Sequence, residues 1–275
     1  MELKLIKCDW GMEHLGDMPE RLKVYRDAGY DGVECANIGM DPEAFGLLTE
    51  DLGLDYVAMM FCDDEEAFAR QLAHVKQTEP ILINCHPGRD YFDLDRSVRF
   101  FNDVAEQASS LSAPIVFETH RTRCLYAPWQ TERILNALPW LRITADFSHF
   151  TNVAENDLRK PPYSDMMDIA IERTDHIHAR VGSSEAPQVA DPRVGTGLRW
   201  TELFEGWWDR VIESRLDDGK AFLTINAEFG PPPYQPANPD DDSPLADIWD
   251  VCLWMSDRFR ERWADRCELS QRSNA

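Results

Sequence analysis

The chain has 275 residues and a mass of 31.7 kDa, and 50 acidic side chains against 28 lysines and arginines give a formal charge of −22 with histidine neutral. Hydrophobic residues make up 43% of the sequence, which is enough for a sizeable core, so wholesale disorder is excluded. A pI near 4.6 and the lack of any lysine or arginine run exclude nucleic acid as an expected partner.

Eight short runs rich in valine, isoleucine and phenylalanine are predicted to be β-strands. In chain order they are 3–9, 31–36, 55–62, 80–86, 114–119, 142–147, 175–181 and 221–229. Helical patterns follow them at 18–29, 41–53, 64–77, 93–111, 129–138, 164–174, 200–216 and 244–266. Eight strands that each precede a helix predict an α/β protein, a single-domain (β/α)8 TIM barrel over residues 1–267.

The pattern of strands and helices leaves the closure of the sheet undecided, and it marks two long loops and a tail. Alternation of strands and helices does not show that the sheet closes, so an open doubly wound sheet remains the alternative fold. Two stretches rich in glycine, proline and serine, 182–197 and 230–244, follow the seventh and eighth strands and suggest a lid. Residues 268–275 are expected to form a disordered tail.

The cysteine pattern and the lack of a long apolar run indicate the cellular compartment. Seven cysteines without a C-x-x-C pair indicate reduced thiols rather than disulfides. There is no apolar run of about 18 residues and no apolar signal segment at the start, so we expect a cytoplasmic protein without a membrane partner. Tryptophans at helical positions are expected to pack the outer helices or an interface in a homo-oligomer: Trp207, Trp208, Trp254 and Trp263.

Polar residues end the last four predicted strands, and the C-terminal strand ends form the active rim of a TIM barrel. They are Glu118, Asp146, His178 and Glu228. Each alone could cap a helix or pair with an arginine, but three carboxylates meeting at one rim would repel one another unless a cation compensates them. Their joint placement therefore predicts one divalent metal ion, and the oxygen and nitrogen donors suit Mn²⁺, Mg²⁺, Co²⁺ or Zn²⁺.

Glu118, Asp146 with His149 three residues later, His178 and Glu228 resemble the pattern of the xylose isomerase-like TIM-barrel superfamily. This group comprises sugar isomerases and epimerases, together with endonuclease IV, and the chain looks most like its sugar phosphate isomerase/epimerase-type members. Similarity to tagatose 3-epimerase-like enzymes implies that Glu118 and Glu228 both bind the metal and exchange protons with a substrate carbon. A base on each face of a metal-stabilised enediolate agrees with that chemistry.

Four further residues are candidate substrate contacts, each with a structural alternative. His149 would bind a sugar hydroxyl or cap a helix, and His86 would bind substrate or complete a turn before Pro-Gly. Arg180 would bind a carboxylate or phosphate, or neutralise acids on the rim. Trp10 would stack on a sugar face or pack in the core.

The resemblance implies a metal-dependent isomerase or epimerase of a small sugar or keto-sugar. A dehydratase or lyase of a sugar acid or cyclitol, a noncatalytic metal- or sugar-binding barrel and a DNA-repair nuclease remain alternatives. The stretch Asp191-Pro192-Arg193 argues against the nuclease, because an arginine stands where a trinuclear site needs a histidine ligand. No glycine-rich phosphate loop is evident, which favours an unphosphorylated or carboxylated substrate.

Overall fold

Eight parallel strands form a closed barrel in the computed structural model, which describes residues 1–269. They are β1 Glu2–Cys8, β2 Gly32–Cys35, β3 Asp55–Cys62, β4 Leu82–Pro87, β5 Ile115–Glu118, β6 Ile143–Ala145, β7 Thr174–His178 and β8 Phe222–Asn226. Each strand pairs with the next, and β1 pairs with β8, with Leu5 opposite Ile225. This last pairing closes the sheet, so the TIM-barrel prediction is confirmed and the open sheet is excluded.

Helices surround the barrel and cover the outer faces of its strands. Within residues 1–269 they are α1 Met18–Asp27, α2 Pro42–Leu52, α3 Glu65–Val75, α4 Leu94–Ala108, α5 Pro128–Ala137, α6 Ser148–Ala154, α7 Tyr163–Glu172, α8 Gly195–Asp217 and α9 Ile248–Trp263. Aspartates just before five of these helices accept a backbone N–H of the first turn, which explains where they begin. The sequence pattern did not predict α6, which is too short to show a helical period.

The barrel interior has an apolar layer and a polar layer. Ile6, Val57, Leu82 and Val116 form a small buried cluster, separate from the large core between the strands and helices. Because residues two apart on a strand face the same side, Asn84 follows Leu82 into the interior, nearer the carboxyl end of β4. Polar side chains of β2, β4, β7 and β8 bond to one another at this level. The polar layer therefore lies directly beneath the active rim.

The two glycine- and proline-rich loops are joined to each other. The buried Gln188, in the loop after β7, donates to the carbonyl of Gly230 at 3.0 Å and accepts from the Gly230 amide at 2.8 Å. Gln188 also donates to Gln235 Oε1 at 2.9 Å. A Cβ at Gly230 would lie 2.2 Å from the ring of Trp10, so only glycine allows this approach. The two loops thus form one wall beside Trp10.

The two ends of the described chain meet at the start of β1. The amide of Leu3 donates to the carbonyl of Glu268 at 2.9 Å. The remainder of the predicted tail, residues 270–275, lies outside the described residues.

The cysteines and most of the four tryptophans at helical positions are buried in the fold. All seven cysteines are buried and free. Trp207, Trp208 and Trp263 are buried among the helices, and Trp254 is partly buried; a homo-oligomer stays a prediction. No helix in residues 1–269 has both the length and the apolar character that a membrane crossing requires.

Candidate metal centre and pocket

The structure brings the four predicted metal ligands together at the carboxyl ends of β5 to β8. Each offers one ligand atom, and these atoms all lie within 4.8 Å of one another. Glu118 and His178 are the last residues of β5 and β7, Asp146 directly follows β6, and Glu228 lies two residues beyond β8. All four side chains are buried. One donor comes from each of four adjacent strands, as the strand-end rule predicts.

Thr119 fixes Asp146 beside Glu118 by extending the pairing of β5 and β6. The Thr119 hydroxyl donates to the carbonyl of Asp146 at 2.9 Å, and its oxygen lies 2.9 Å from the Asp146 amide, which donates to it. Ser148 then donates to Asp146 Oδ1 from its amide at 3.1 Å and its hydroxyl at 2.5 Å. Thr119 therefore holds the backbone of Asp146, and Ser148 holds its carboxylate.

The buried acids at this site depend on nearby cations. Burial raises the pKa of Asp146 to about 6, although Arg180 opposes the shift. Burial also acts to raise the pKa of Glu228, but Arg180 and His178 outweigh it and bring the pKa to about 2. The pKa of His178 is raised because Glu34, Glu118 and Glu228 outweigh the lowering effect of its burial. The carboxylates thus favour positive charge at the position of His178.

The polar atoms at the centre of the group fit a divalent ion. His178 Nδ1 lies 2.7 Å from Glu228 Oε2, yet both atoms are buried without a hydrogen bond of acceptable geometry. Arg180 Nη2 also lies 2.7 Å from this oxygen, and a divalent ion at this position would supply the positive charge that the carboxylates favour at His178. Three carboxylates and one imidazole are donors that Mn²⁺, Mg²⁺, Co²⁺ and Zn²⁺ accept. The residues present could therefore hold a metal.

A second group of possible ligands, Glu34, His176 and His178, lies beneath the first and is bonded differently. Glu34 accepts from Asn84 Nδ2 at 2.9 Å and from Asn226 Nδ2 at 2.6 Å. The ring nitrogens Nε2 of His176 and His178 each lie 3.1 Å from the same carboxylate. Its acceptor positions are thus filled by protein donors, which is typical of a structural network rather than of a metal site.

A pocket of about 590 Å³ opens over the four ligands. Aromatic side chains line its mouth, with Trp10 38% and Phe61 42% exposed, together with Tyr234 from the loop after β8. Of the four candidate ligands Glu228 lines the pocket, whereas Glu118, Asp146 and His178 lie behind its wall, and Glu34 also lines it. A small molecule in the pocket would therefore meet Glu228 first and the aromatic rings around it.

Three of the four predicted substrate contacts line this pocket, namely Trp10, His86 and Arg180. His86 Nε2 lies 2.9 Å from Glu118 Oε2, and Trp10 meets Tyr234 edge to face at 5.2 Å. His149 does not line the pocket: it is fully buried behind His120, with ring centroids 4.1 Å apart. Its Nε2 lies 3.4 Å from Asp146 Oδ2. A direct contact of His149 with substrate stays a prediction.

Arg180 pairs with two of the candidate ligands. Its Nε donates to Asp146 Oδ2 at 3.1 Å, and its Nη2 lies 2.7 Å from Glu228 Oε2. Its guanidinium carbon lies 4.8 Å from the ring centroid of Tyr234, while Nη1 is buried without a partner. Arg180 thus neutralises acids on the rim and keeps one donor available beside the pocket.

Sequence reasoning missed three residues of the site: Glu34, His120 and Tyr234. Glu34 has the same signal as the predicted ligands, a charged residue near the end of an apolar strand. His120 lines the pocket, with Nε2 3.3 Å from the Tyr234 hydroxyl. Tyr234 lies in a proline-rich loop, where no periodicity marks it. Asp191 and Arg193, which argued against the nuclease, form a salt bridge with each other at 2.8 Å.

Neither a protein-family model nor a curated protein sequence matches the chain. Solved structures do match it in fold. A probable 3-DHS dehydratase from Bacillus anthracis is 17% identical with a TM-score of 0.62, covering 94% of this chain and 98% of the other. An AP endonuclease, family 2, from Brucella melitensis is 10% identical with a TM-score of 0.59, covering 96% and 99%.

A third solved structure carries a metal. It is a xylose isomerase-like TIM barrel protein from Mycobacterium smegmatis in complex with magnesium, 13% identical with a TM-score of 0.56, and the match covers 86% of this chain and 84% of that one. At these identities the likeness concerns the fold. The chain shares the (β/α)8 TIM-barrel fold of these three proteins.

Proposed function

We propose that the chain is a divalent-metal-dependent isomerase or epimerase of a small sugar or keto-sugar. The observation that carries the proposal is the convergence of Glu118, Asp146, His178 and Glu228 within 4.8 Å beneath an open pocket. The magnesium complex of a structurally similar barrel supports the choice of a hard divalent ion. The ion itself, its identity and its number are part of the proposal.

Within this proposal, Glu118 and Glu228 hold the ion and move protons. When bound, the ion would polarise the substrate carbonyl and lower the cost of negative charge on its oxygen. The two glutamates belong to strand ends separated by β6 and β7: Glu228 lines the pocket, and Glu118 lies 2.9 Å from His86, which lines it. One would remove a proton from the carbon next to the carbonyl, and the other would return a proton to form the product.

Asp146 and His178 would act as ligands without transferring protons. The contact of Asp146 with Arg180 and Ser148 keeps its carboxylate fixed. His86 and Arg180 would hold substrate oxygens, and Trp10 would pack on a sugar face. The pocket volume of about 590 Å³ is within the range of small-molecule sites. The substrate is thus proposed to be a small, unphosphorylated or carboxylated compound in the cytoplasm.

A dehydratase on the same site is the second candidate, since loss of a β-hydroxyl can follow the same proton abstraction. Sequence reasoning found no additional general acid for this reaction. The structure adds two proton-bearing groups to the pocket wall, His120 and Tyr234, whose Nε2 and hydroxyl lie 3.3 Å apart. Tyr234 would supply the proton for a departing hydroxyl group, because burial and the neighbouring His86 lower the pKa of His120 to about 3 and leave its imidazole neutral.

The test is solvent deuterium exchange into a panel of ketoses and sugar acids, with Mn²⁺ present and again with a chelator. Incorporation of deuterium without loss of water supports the isomerase or epimerase, whereas release of water supports the dehydratase. Binding of Mn²⁺ and sugar without exchange would instead show a noncatalytic binding barrel. Incision of a duplex with an abasic site, in place of exchange, would identify a nuclease and overturn the proposal.

A further inference from the structure

A buried carboxylate lies directly behind the imidazole of His178. Glu34 is the third residue of β2 and is fully buried. Both of its oxygens lie 3.1 Å from His178 Nε2, across the interior of the barrel. On the other side of the same ring, Nδ1 faces Glu228 Oε2 at 2.7 Å and Glu118 Oε2 at 3.4 Å. The ring therefore connects the structural network to the candidate metal centre.

Two asparagines make Glu34 an acceptor for every partner around it. Asn226 donates to Glu34 from Nδ2, and its Oδ1 accepts from the amide of Cys8 at 3.1 Å. Asn84 likewise donates from Nδ2, and its Oδ1 accepts from the hydroxyl of Thr144 at 2.8 Å. The Cys8 amide can only donate, which fixes Asn226, and the carboxylates of Glu34 and Glu118 both lie beside Asn84 Nδ2, which fixes Asn84. Asn84 Nδ2 also lies 3.3 Å from His178 Nε2, but its two N–H groups are taken by the two carboxylates. The remaining contacts of Glu34 then require N–H donors from the two histidines.

A neutral histidine that carries its proton on Nε2 has its lone pair on Nδ1. We propose that Glu34 is a positioning residue that holds the proton of His178 on Nε2 and orients the ring, so that Nδ1 presents its lone pair to a divalent ion. This inference rests on the proposed metal centre and deepens it. A carboxylate that accepts from the far nitrogen of a ligating histidine raises the basicity of that ligand and fixes its orientation.

Through Asn84, Glu34 also supports Glu118, a second candidate ligand. Asn84 Nδ2 lies 2.9 Å from Glu34 Oε1 and 2.8 Å from Glu118 Oε2, so one amide bridges the two carboxylates. Glu34 thereby sets the position of the amide that contacts Glu118. Loss of its charge is expected to disturb both His178 and Glu118 without removing any ligand atom.

Calorimetric titration with Mn²⁺, in the absence of any substrate, tests this role. Glu34→Gln should weaken Mn²⁺ binding by roughly 10–100-fold, as for other partners of metal-ligating histidines. His176→Gln is the matched control, because His176 Nε2 lies 3.1 Å from the same carboxylate and Nδ1 lies 3.0 Å from the carbonyl of Thr224, so its contact with the four ligands is ring packing on His178 at 4.9 Å. It should change the affinity by much less. Equal affinities of wild type and Glu34→Gln would overturn the role of Glu34 while leaving the metal centre in place.

The proton position can be measured directly on the wild-type protein. In Zn²⁺-loaded protein with ¹⁵N-labelled histidine, long-range ¹H–¹⁵N correlation spectra should show His178 with a protonated Nε2 and a metal-shifted Nδ1. An unprotonated Nε2 would overturn the inference, and this result does not depend on whether Glu34→Gln folds. A wild-type protein that binds neither ion would overturn the metal centre and the role of Glu34 together.

Discussion

Two buried groups of carboxylates and histidines lie on opposite sides of the His178 ring, and they differ in how their polar atoms are satisfied. In the interior group, Glu34 accepts from two asparagines and contacts two histidines. The mouth group consists of the four candidate metal ligands, Glu118, Asp146, His178 and Glu228. In this group His178 Nδ1 and Glu228 Oε2 face each other without a hydrogen bond. The residue types are the same, so hydrogen-bond saturation distinguishes a structural network from a site built for a ligand.

The largest effect is expected at the mouth. Glu228→Gln should lower deuterium exchange by about 10²–10⁴-fold, because it removes a proton-transfer group that lines the pocket. Circular dichroism should show an intact fold. Glu202→Gln, on the exposed side of α8, is the control and should leave exchange unchanged. Unchanged exchange in Glu228→Gln would remove Glu228 from the mechanism.

Asp146→Asn separates ligand binding from stability. The variant should bind Mn²⁺ at least about tenfold more weakly, since a negatively charged oxygen ligand is lost. Without metal, its melting temperature should be equal to or higher than that of the wild type, because one of three buried acids is neutralised. Asp103→Asn, exposed on α4, controls for the loss of charge. A large fall in metal-free stability would show that Asp146 belongs to a structural network.

Asn226→Ala tests the interior group. In contrast to Asp146→Asn, it should lower the stability of the fold more than the affinity for metal. It removes a donor to the buried Glu34 and leaves the Cys8 amide without its acceptor. We expect the free energy of unfolding in urea, measured with chelator, to fall by about 2 kcal/mol. Mn²⁺ affinity should change less than in Asp146→Asn. An unchanged unfolding free energy would contradict the assignment of a structural role to this group.

The smallest effect is expected in the wall of the pocket. Gln188→Ala removes the bonds that join the loops after β7 and β8, and should increase hydrogen exchange at the Gly230 amide. Amides within β7 and β8 should keep their protection. The exposed Gln77→Ala serves as the control. Unaltered exchange at Gly230 would show that other contacts hold the two loops together.

The fold and the convergence of the four candidate ligands could be predicted because their signal is local. Each of Glu118, Asp146, His178 and Glu228 follows an apolar run, and a parallel barrel places all strand ends on one rim. The short α6 escaped prediction because seven residues do not establish a period.

The interior group could not be predicted in the same way, because its partners are distant in sequence. Glu34 and His178 are 144 positions apart, and no spacing relates them. Which carboxylate His176 contacts depends on how β2 and β7 face each other across the closed barrel. Tyr234 lies in the loop that Gln188 joins to the loop after β7, and no local pattern indicates that contact.

The burial of all seven free cysteines has a practical consequence for every variant described above. A thiol is alkylated only when a reagent reaches it, so the folded chain should react slowly with iodoacetamide or maleimide, and each opening of the barrel should expose new sulfurs. Counting the labelled thiols by intact-mass spectrometry over time would report conformational opening from the native population, without denaturant.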